Sequence, residues 1–181
     1  MYGKEIEKVL ITKEEIAKRV KELGAQISKD FAGEEITLVC TLRGASIFFA
    51  DLVREIDLDA ELDFISASSY GAGTKSSGEV KLIKDLSAPI NGKNVIIVED
   101  IIDTGITLSY LTKMLKARSP KTLKVCALLD KHARREVEFE GDYIGFEIEN
   151  EFVVGYGLDY NEKMRTLKDV CVLAPEVYGG R

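Results

Sequence analysis

Val95-Ile96-Ile97-Val98-Glu99-Asp100-Ile101-Ile102-Asp103-Thr104-Gly105-Ile106-Thr107-Leu108 is the stretch around which the rest of the chain is organised. Its first four residues are apolar and β-branched with no polar position between them, which predicts a strand buried on both faces inside a parallel sheet. Glu99, Asp100 and Asp103 place three carboxylates where that strand is expected to end, and Thr104-Gly105 supplies a hydroxyl and a flexible joint. Leu108, Leu111 and Leu115 then recur at helical spacing with Met114 beside them. The expected order is strand, acidic loop, helix N-terminus, within an α/β fold.

A helix N-terminus carries unpaired backbone N–H groups and a partial positive charge, so a Gly- and Thr-bearing loop entering one is a natural phosphate cradle. Carboxylates beside a phosphate repel it unless they serve sugar hydroxyls or a Mg2+ ion, whose charge reverses the local repulsion. The combination predicts a sugar phosphate; the plainer alternative is that Asp103 or Thr104 caps the helix.

Composition narrows the field. A chain of 181 residues suffices for one domain with a real core. With 45% hydrophobic and 31% charged residues the composition is that of a soluble globular protein, and no apolar run approaches the roughly 20 residues that span a bilayer. Charge in Met1-Tyr2-Gly3-Lys4-Glu5-Ile6-Glu7 leaves no secretory core, so a cytoplasmic location and no membrane partner are expected. A net charge of −6 argues against a nucleic-acid partner. Cys40, Cys126 and Cys171 lie in separate apolar runs and predict buried, reduced thiols rather than a zinc framework. With His132 as the single histidine there is no multi-histidine metal site, and no Gly-x-Ser-x-Gly elbow accompanies it. Asn94 after Gly92-Lys93 excludes a Walker sequence.

Outward from the central stretch, Thr12-Lys13-Glu14-Glu15 has the form of a capping box before a helix carried by Ile16, Val20, Leu23 and Ile27. Glu35 to Leu42 predicts a second buried strand, turning through Arg43-Gly44 into a helix containing Ile47, Phe48, Leu52, Val53 and Ile56. That geometry can expose backbone donors to an anion, or be an ordinary turn with an exposed Arg. Ala60 to Ser66 alternates through Leu62, Phe64 and Ser66 and predicts a strand with one polar face. The run from Ser68 to Gly78 is small and polar with three glycines, and buries little. Val80 to Ile83 is a short strand expected to pair back across it. Leu123 to Leu129 is a further buried strand ending at Asp130-Lys131-His132-Ala133-Arg134-Arg135, where α/β folds place ligands. His132, Arg134 and Arg135 are read as a solvated basic turn. Finally, Phe152-Val153-Val154-Gly155-Tyr156-Gly157-Leu158-Asp159-Tyr160 intersperses aromatics with glycines, which suits close approach to a flat ring or a tight turn core.

Val98-Glu99-Asp100-Ile101-Ile102-Asp103-Thr104-Gly105-Ile106-Thr107-Leu108 strongly resembles the phosphoribosyl-diphosphate (PRPP) motif of type I phosphoribosyltransferases. The stretch from Phe152 to Tyr160 resembles the purine-binding segment of the bacterial hypoxanthine-guanine branch, and likeness extends from Leu42 to Arg165 in the family's order. The resemblance implies a type I phosphoribosyltransferase fold: a central, mostly parallel sheet flanked by helices, with a small hood from the N-terminal segment and roughly residues 141–181. Residues 1–181 then form a single domain.

The reaction implied is transfer of 5-phosphoribose from PRPP to N9 of a 6-oxopurine, with Mg2+ and release of pyrophosphate. Asp103 is then the general base; an ordinary Asp titrates near about 3.9 and is ionised at neutral pH. Thr104, Gly105, Ile106 and Thr107 hold the 5-phosphate with Asp103's amide, Ile106 through its backbone alone. Glu99 and Asp100 orient the ribose hydroxyls, directly or through Mg2+. Arg43, Gly44 and Arg165 contact pyrophosphate. Lys131 donates to the purine O6, Phe152 stacks on the ring, Val153 offers backbone groups, and Asp159 supports a second Mg2+. Ser69 and Tyr70 begin a loop that closes over the site, keeping water from the cation-like sugar. Relatives imply a homo-oligomer, dimer or tetramer.

Two other readings compete. A PRPP- or nucleotide-sensing regulator is expected to lose the base or the purine lysine, or to add a DNA-binding segment, whereas Asp103 and Lys131 are both present. A doubly wound methyltransferase needs a glycine-rich first loop, for which Leu42-Arg43-Gly44 is a poor candidate.

Overall fold

The computed structural model describes residues 3–69 and 80–179. A six-stranded sheet forms its centre, in the order β4-β3-β2-β5-β6-β7. These are Ala60–Ser69 (β3), Val80–Lys84 (β4), Ile36–Thr41 (β2), Asn94–Ile102 (β5), Thr122–Asp130 (β6) and Tyr143–Glu147 (β7). All neighbours run parallel except β4, which returns antiparallel on β3 at the edge.

The unbroken apolar runs of β2, β5 and β6 follow from helices covering both faces. Leu38, Cys40, Ile96, Val98, Cys126 and Leu128 point into a core shared with helices α1 (Lys13–Asp30) and α2 (Ser46–Glu55). Their alternates Val39, Val95, Ile97, Val125 and Ala127 point into a core shared with α3 (Ile106–Lys116) through Leu108, Leu111 and Leu115. The expected capping box starts α1: Glu15 N–H donates to Thr12 Oγ1 at 3.3 Å and Thr12 N–H donates to the Glu15 carboxylate at 2.8 Å. All three cysteines are free and buried, and burial together with Glu99 and Asp100 pushes the Cys40 thiol up to about 12.

A second sheet, β1-β9-β8, joins Ile6–Ile11 (β1) to Val170–Leu173 (β9) and Val153–Val154 (β8), so the chain's two ends build one small layer. The short helix Pro175–Tyr178 (α4) follows β9. No helix among the described residues is long and apolar enough to cross a membrane.

Two strand readings change. β5 does not end at Val98: Glu99↔Ala127, Ile101↔Leu129 and Ile102↔Asp130 continue its pairing with β6, so Glu99 and Asp100 stand on a strand and only Asp103–Gly105 form the turn. In β3 the apolar residues Leu62 and Phe64 are the exposed ones, at 49% and 37%, while Asp63 and Ile65 face inward. Asp63 is tolerated because its carboxylate accepts backbone N–H bonds from Phe64, Ser87 and Ala88, which pins the segment between β4 and β5. Burial alone would raise the Asp63 pKa; those three donors outweigh it and hold the group below the usual carboxylate range.

A depressed carboxylate contributes stability above its unfolded pKa, and that contribution fades as pH falls through the folded value. Asp63→Asn is therefore expected to cost about 2 kcal/mol at pH 7 in urea unfolding, the scale of hydrogen bonds to a charged acceptor, with the difference from wild type shrinking below about pH 4. A difference that stayed constant from pH 7 to pH 3 would show that the carboxylate charge is not what stabilises this corner.

Candidate active site

The turn after β2, the carboxyl end of β5 and the segment from Gly157 to Arg165 meet around a cleft of about 300 Å³. Two glycines make the meeting possible. A Cβ on Gly44 would fall 1.6 Å from Asp100 Oδ2, and one on Gly157, whose φ is +104°, would fall 2.1 Å from the Gly44 carbonyl oxygen. The Arg43–Gly44 backbone thus lies between the Asp100 carboxylate and the Gly157 backbone with no room for side chains; the peptide bond Leu42–Arg43 is cis.

The cleft's cations come from two sides. Arg43 pairs with Glu162 at 2.7 Å. Arg165 forms an ion pair with Asp159 at 2.8 Å and donates to Glu162 at 3.1 Å and to the Gly157 carbonyl at 2.7 Å. Its acidic wall is Glu99 and Asp100, both half-buried. Burial first, and the adjacent Asp100 charge second, raise the Glu99 pKa well above the usual carboxylate range. Each carboxylate accepts from a local amide, Glu99 from Asp100 N–H at 3.0 Å and Asp100 from Ile101 N–H at 2.8 Å, which leaves further oxygen lone pairs free to face a hard cation.

At the turn, Gly105 takes φ +82° as the N-cap of α3, with no side-chain cap bond, so neither Asp103 nor Thr104 closes the helix end in the way a capping residue does. Thr104 Oγ1 accepts a long hydrogen bond from Ile106 N–H, at 3.4 Å. The other first-turn amides have no intrahelical carbonyl to reach. Asp103 Oδ1 is buried and has no hydrogen-bond partner among the described residues; its nearest cation is Arg134 Nε at 3.5 Å.

Lys131 begins where β6 ends. Its amide donates to the Ile102 carbonyl at 3.0 Å, and its ammonium, almost fully buried, donates to the Glu151 carbonyl at 2.8 Å. Burial lowers its pKa, with Asp103 acting in the opposite direction. Glu151 leads directly to Phe152, whose ring stacks on Tyr178 at 4.9 Å and meets Tyr160 edge-on at 5.6 Å. Val153 is buried in β8. The structure therefore gathers Arg43, Gly44, Glu99, Asp100, Thr107, Asp159 and Arg165 around the cleft, while Lys131 bonds to the Ile102 carbonyl, next to Asp103, and to the Glu151 carbonyl, next to Phe152. Of the expected closing loop only the Ser69 backbone, in β3, is described; Tyr70 lies outside the described residues.

Several residues escaped the sequence reading. Arg135 is not part of a solvated turn: it pairs with the fully buried Asp130 and donates to the Asp103 carbonyl. Nothing in a run of basic residues marks one member as buried; the only hint is an Asp five positions earlier, across a turn. His132 and Arg134 are exposed as expected. Glu162, Glu151 through its carbonyl, and Tyr178 act through tertiary contacts that no local pattern announces.

A larger cleft, about 580 Å³, opens at the amino ends of β2, β3 and β5 between Glu34, Glu61, Lys93 and Lys121. Both of its lysines are already paired, Lys93 with Glu61 and Lys121 with Glu34, and ligands of open α/β sheets bind outside the carboxyl ends. In the smaller cleft the carboxylates of Glu99 and Asp100 lie at that end.

The chain is similar to known proteins over most of its length. The phosphoribosyl transferase domain family matches residues 9–161. The hypoxanthine-guanine phosphoribosyltransferase of Streptococcus thermophilus (strain CNRZ 1066) is 50% identical over 178 residues, covering 98% of this chain and 99% of that protein. The bifunctional protein TilS/HprT of Listeria monocytogenes serotype 4b (strain F2365) is 49% identical over 174 residues, and there the chain spans 27% of the longer protein's length. A crystal structure of a hypoxanthine phosphoribosyltransferase from Staphylococcus aureus superposes with a TM-score of 0.94 at 45% identity, over 97% of this chain and 96% of that one.

Proposed function

This chain belongs to the phosphoribosyltransferase family, and on that premise we propose that it transfers 5-phosphoribose from PRPP to N9 of hypoxanthine or guanine, giving IMP or GMP and pyrophosphate. N9 forms its bond to the sugar C1 as the bond from C1 to the pyrophosphate oxygen breaks. The site must therefore hold a departing polyanion and relieve the purine of its N7 proton.

The residues divide that work. The amides and hydroxyls from Asp103 to Thr107 hold the 5-phosphate at the α3 N-terminus, and Glu99 and Asp100 hold the ribose hydroxyls. Asp103, whose side chain is partly exposed, accepts the N7 proton on its carboxylate. Lys131 keeps one N–H on the Glu151 carbonyl and turns another to the purine O6, while Phe152, backed by Tyr178, stacks on the ring. Val153 contributes backbone groups to the purine edge. Arg43, Gly44 and Arg165 receive pyrophosphate. Glu99, Asp100 and Asp159 offer hard carboxylate oxygens, and the absence of a Cβ at Gly44 leaves the Asp100 carboxylate its space, so these residues fit Mg2+. When bound there, Mg2+ supplies neutralising charge to the pyrophosphate oxygens.

One observation carries the reading: the amide of Lys131 is bonded to the carbonyl of Ile102, so the residue suited to an oxopurine and the turn suited to a sugar phosphate are neighbours across one hydrogen bond. The test is an assay with PRPP, Mg2+ and one base at a time. Hypoxanthine and guanine are expected to yield nucleotide, and adenine none above background. Binding of PRPP with no nucleotide formed from either oxopurine would instead make the protein a sensor.

A further inference from the structure

Arg135 lies behind the turn that carries Asp103, with 12% of its side chain exposed. One terminal nitrogen of its guanidinium donates to the buried Asp130 carboxylate and the other donates to the Asp103 carbonyl at 2.7 Å. The chain then continues the contact through its backbone: the amides of Glu136 and Val137 donate to the Thr104 carbonyl at 2.9 and 3.4 Å. The Arg135 stem covers Gly105, where an added Cβ would meet its Cδ at 3.1 Å. The carbonyls of two successive turn residues are therefore both drawn toward one segment.

A trans peptide points its N–H opposite to its C=O. Drawing the Asp103 and Thr104 carbonyls toward residues 135–137 turns the amides of Thr104 and Gly105 the other way, and fixes the backbone from which the Asp103 carboxylate projects. The planar guanidinium serves two acceptors at set angles, which a single ammonium does not. Asp130 holds the guanidinium, and the guanidinium holds the turn.

We propose that Arg135, anchored on Asp130, is a positioning residue for phosphoribosyl transfer: it clamps the Asp103 carbonyl and so aims both the carboxylate of Asp103 and the amides offered to the 5-phosphate. This rests on the roles given above to Asp103 and its turn. Arg135→Lys keeps a cation for Asp130 but cannot bond both acceptors. Its kcat with hypoxanthine is expected to fall about 100-fold, the scale of an ångström-sized misplacement. The KM for hypoxanthine stays within about threefold because Lys131 is untouched. Amide hydrogen exchange across residues 103–107 rises about tenfold or more without a matching change elsewhere, since a local opening has been made easier. Should the lysine variant fail to fold, Asp130→Asn, which loosens the anchor, is expected to shift exchange and kcat in the same direction by about tenfold. Unchanged exchange at 103–107 together with unchanged kcat overturns the clamp. If wild type forms no nucleotide, the functional reading fails by itself, and the exchange measurement alone still decides the clamp.

Discussion

Replacing Asp103 by Asn is expected to lower kcat for nucleotide formation by about 100-fold to 10,000-fold, the range for loss of a positioned general base, while PRPP binding changes little. The asymmetry follows from the geometry. Asn has the shape of Asp and leaves the turn, held from behind through the Asp103 and Thr104 carbonyls, in place. The phosphate contacts assigned to this turn are amides and hydroxyls, which the substitution keeps. What disappears is the negatively charged carboxylate that would take up the proton, a group that accepts no hydrogen bond at Oδ1 from the described residues. Steady-state kcat set beside a calorimetric dissociation constant for PRPP separates the two roles. Equal losses in both would make Asp103 a ligand for the sugar phosphate and leave the proton without an acceptor.

Lys131→Met is expected to reduce kcat/KM for hypoxanthine by about 10-fold to 100-fold, the scale of one hydrogen bond from a charged donor. The loss for adenine should be much smaller, so discrimination between the two bases collapses. In wild type the ammonium is buried, one N–H is committed to the Glu151 carbonyl, and the remaining donors have no use for an exocyclic amine. A site built to donate to a substrate oxygen rejects an analogue without that acceptor far more strongly than a hydrophobic pocket rejects an extra methylene. Parallel losses for the two bases would assign Lys131 to fold stability and move base selection elsewhere, with Val153 the next candidate.

The layered fold was legible because its signals are local. Continuous apolar runs in β2, β5 and β6 carry the mark of strands covered on both faces, and Thr12 with Glu15 marks the start of α1. The end of β5 was misjudged because carboxylates usually signal a turn. Here Glu99 and Asp100 extend the ladder beside β6, and the space that Gly44 leaves open accommodates one of them. The exposure of Leu62 and Phe64 was hidden for a related reason: polarity predicts burial only until a buried acid such as Asp63 finds enough backbone donors. At the cleft, residue types named Asp103, Lys131 and Arg165, but nothing in the chain's order announced that Arg135 would tie the Asp103 carbonyl to Asp130. Such a pairing exists only once β6 and the turn after β5 lie side by side.

The proposed reaction requires one cleft, at the carboxyl ends of β2 and β5, to hold the sugar phosphate and lead to the oxopurine edge. A crystal structure with PRPP, Mg2+ and 9-deazaguanine, whose carbon at position 9 cannot attack the sugar, tests it most directly. The predicted result places the 5-phosphate on the amides between Asp103 and Thr107, the ring on Phe152, and the base oxygen within hydrogen-bond reach of the Lys131 ammonium. PRPP bound instead between Lys93 and Lys121 at the amino ends of the strands, or the base lying away from Lys131, would contradict it.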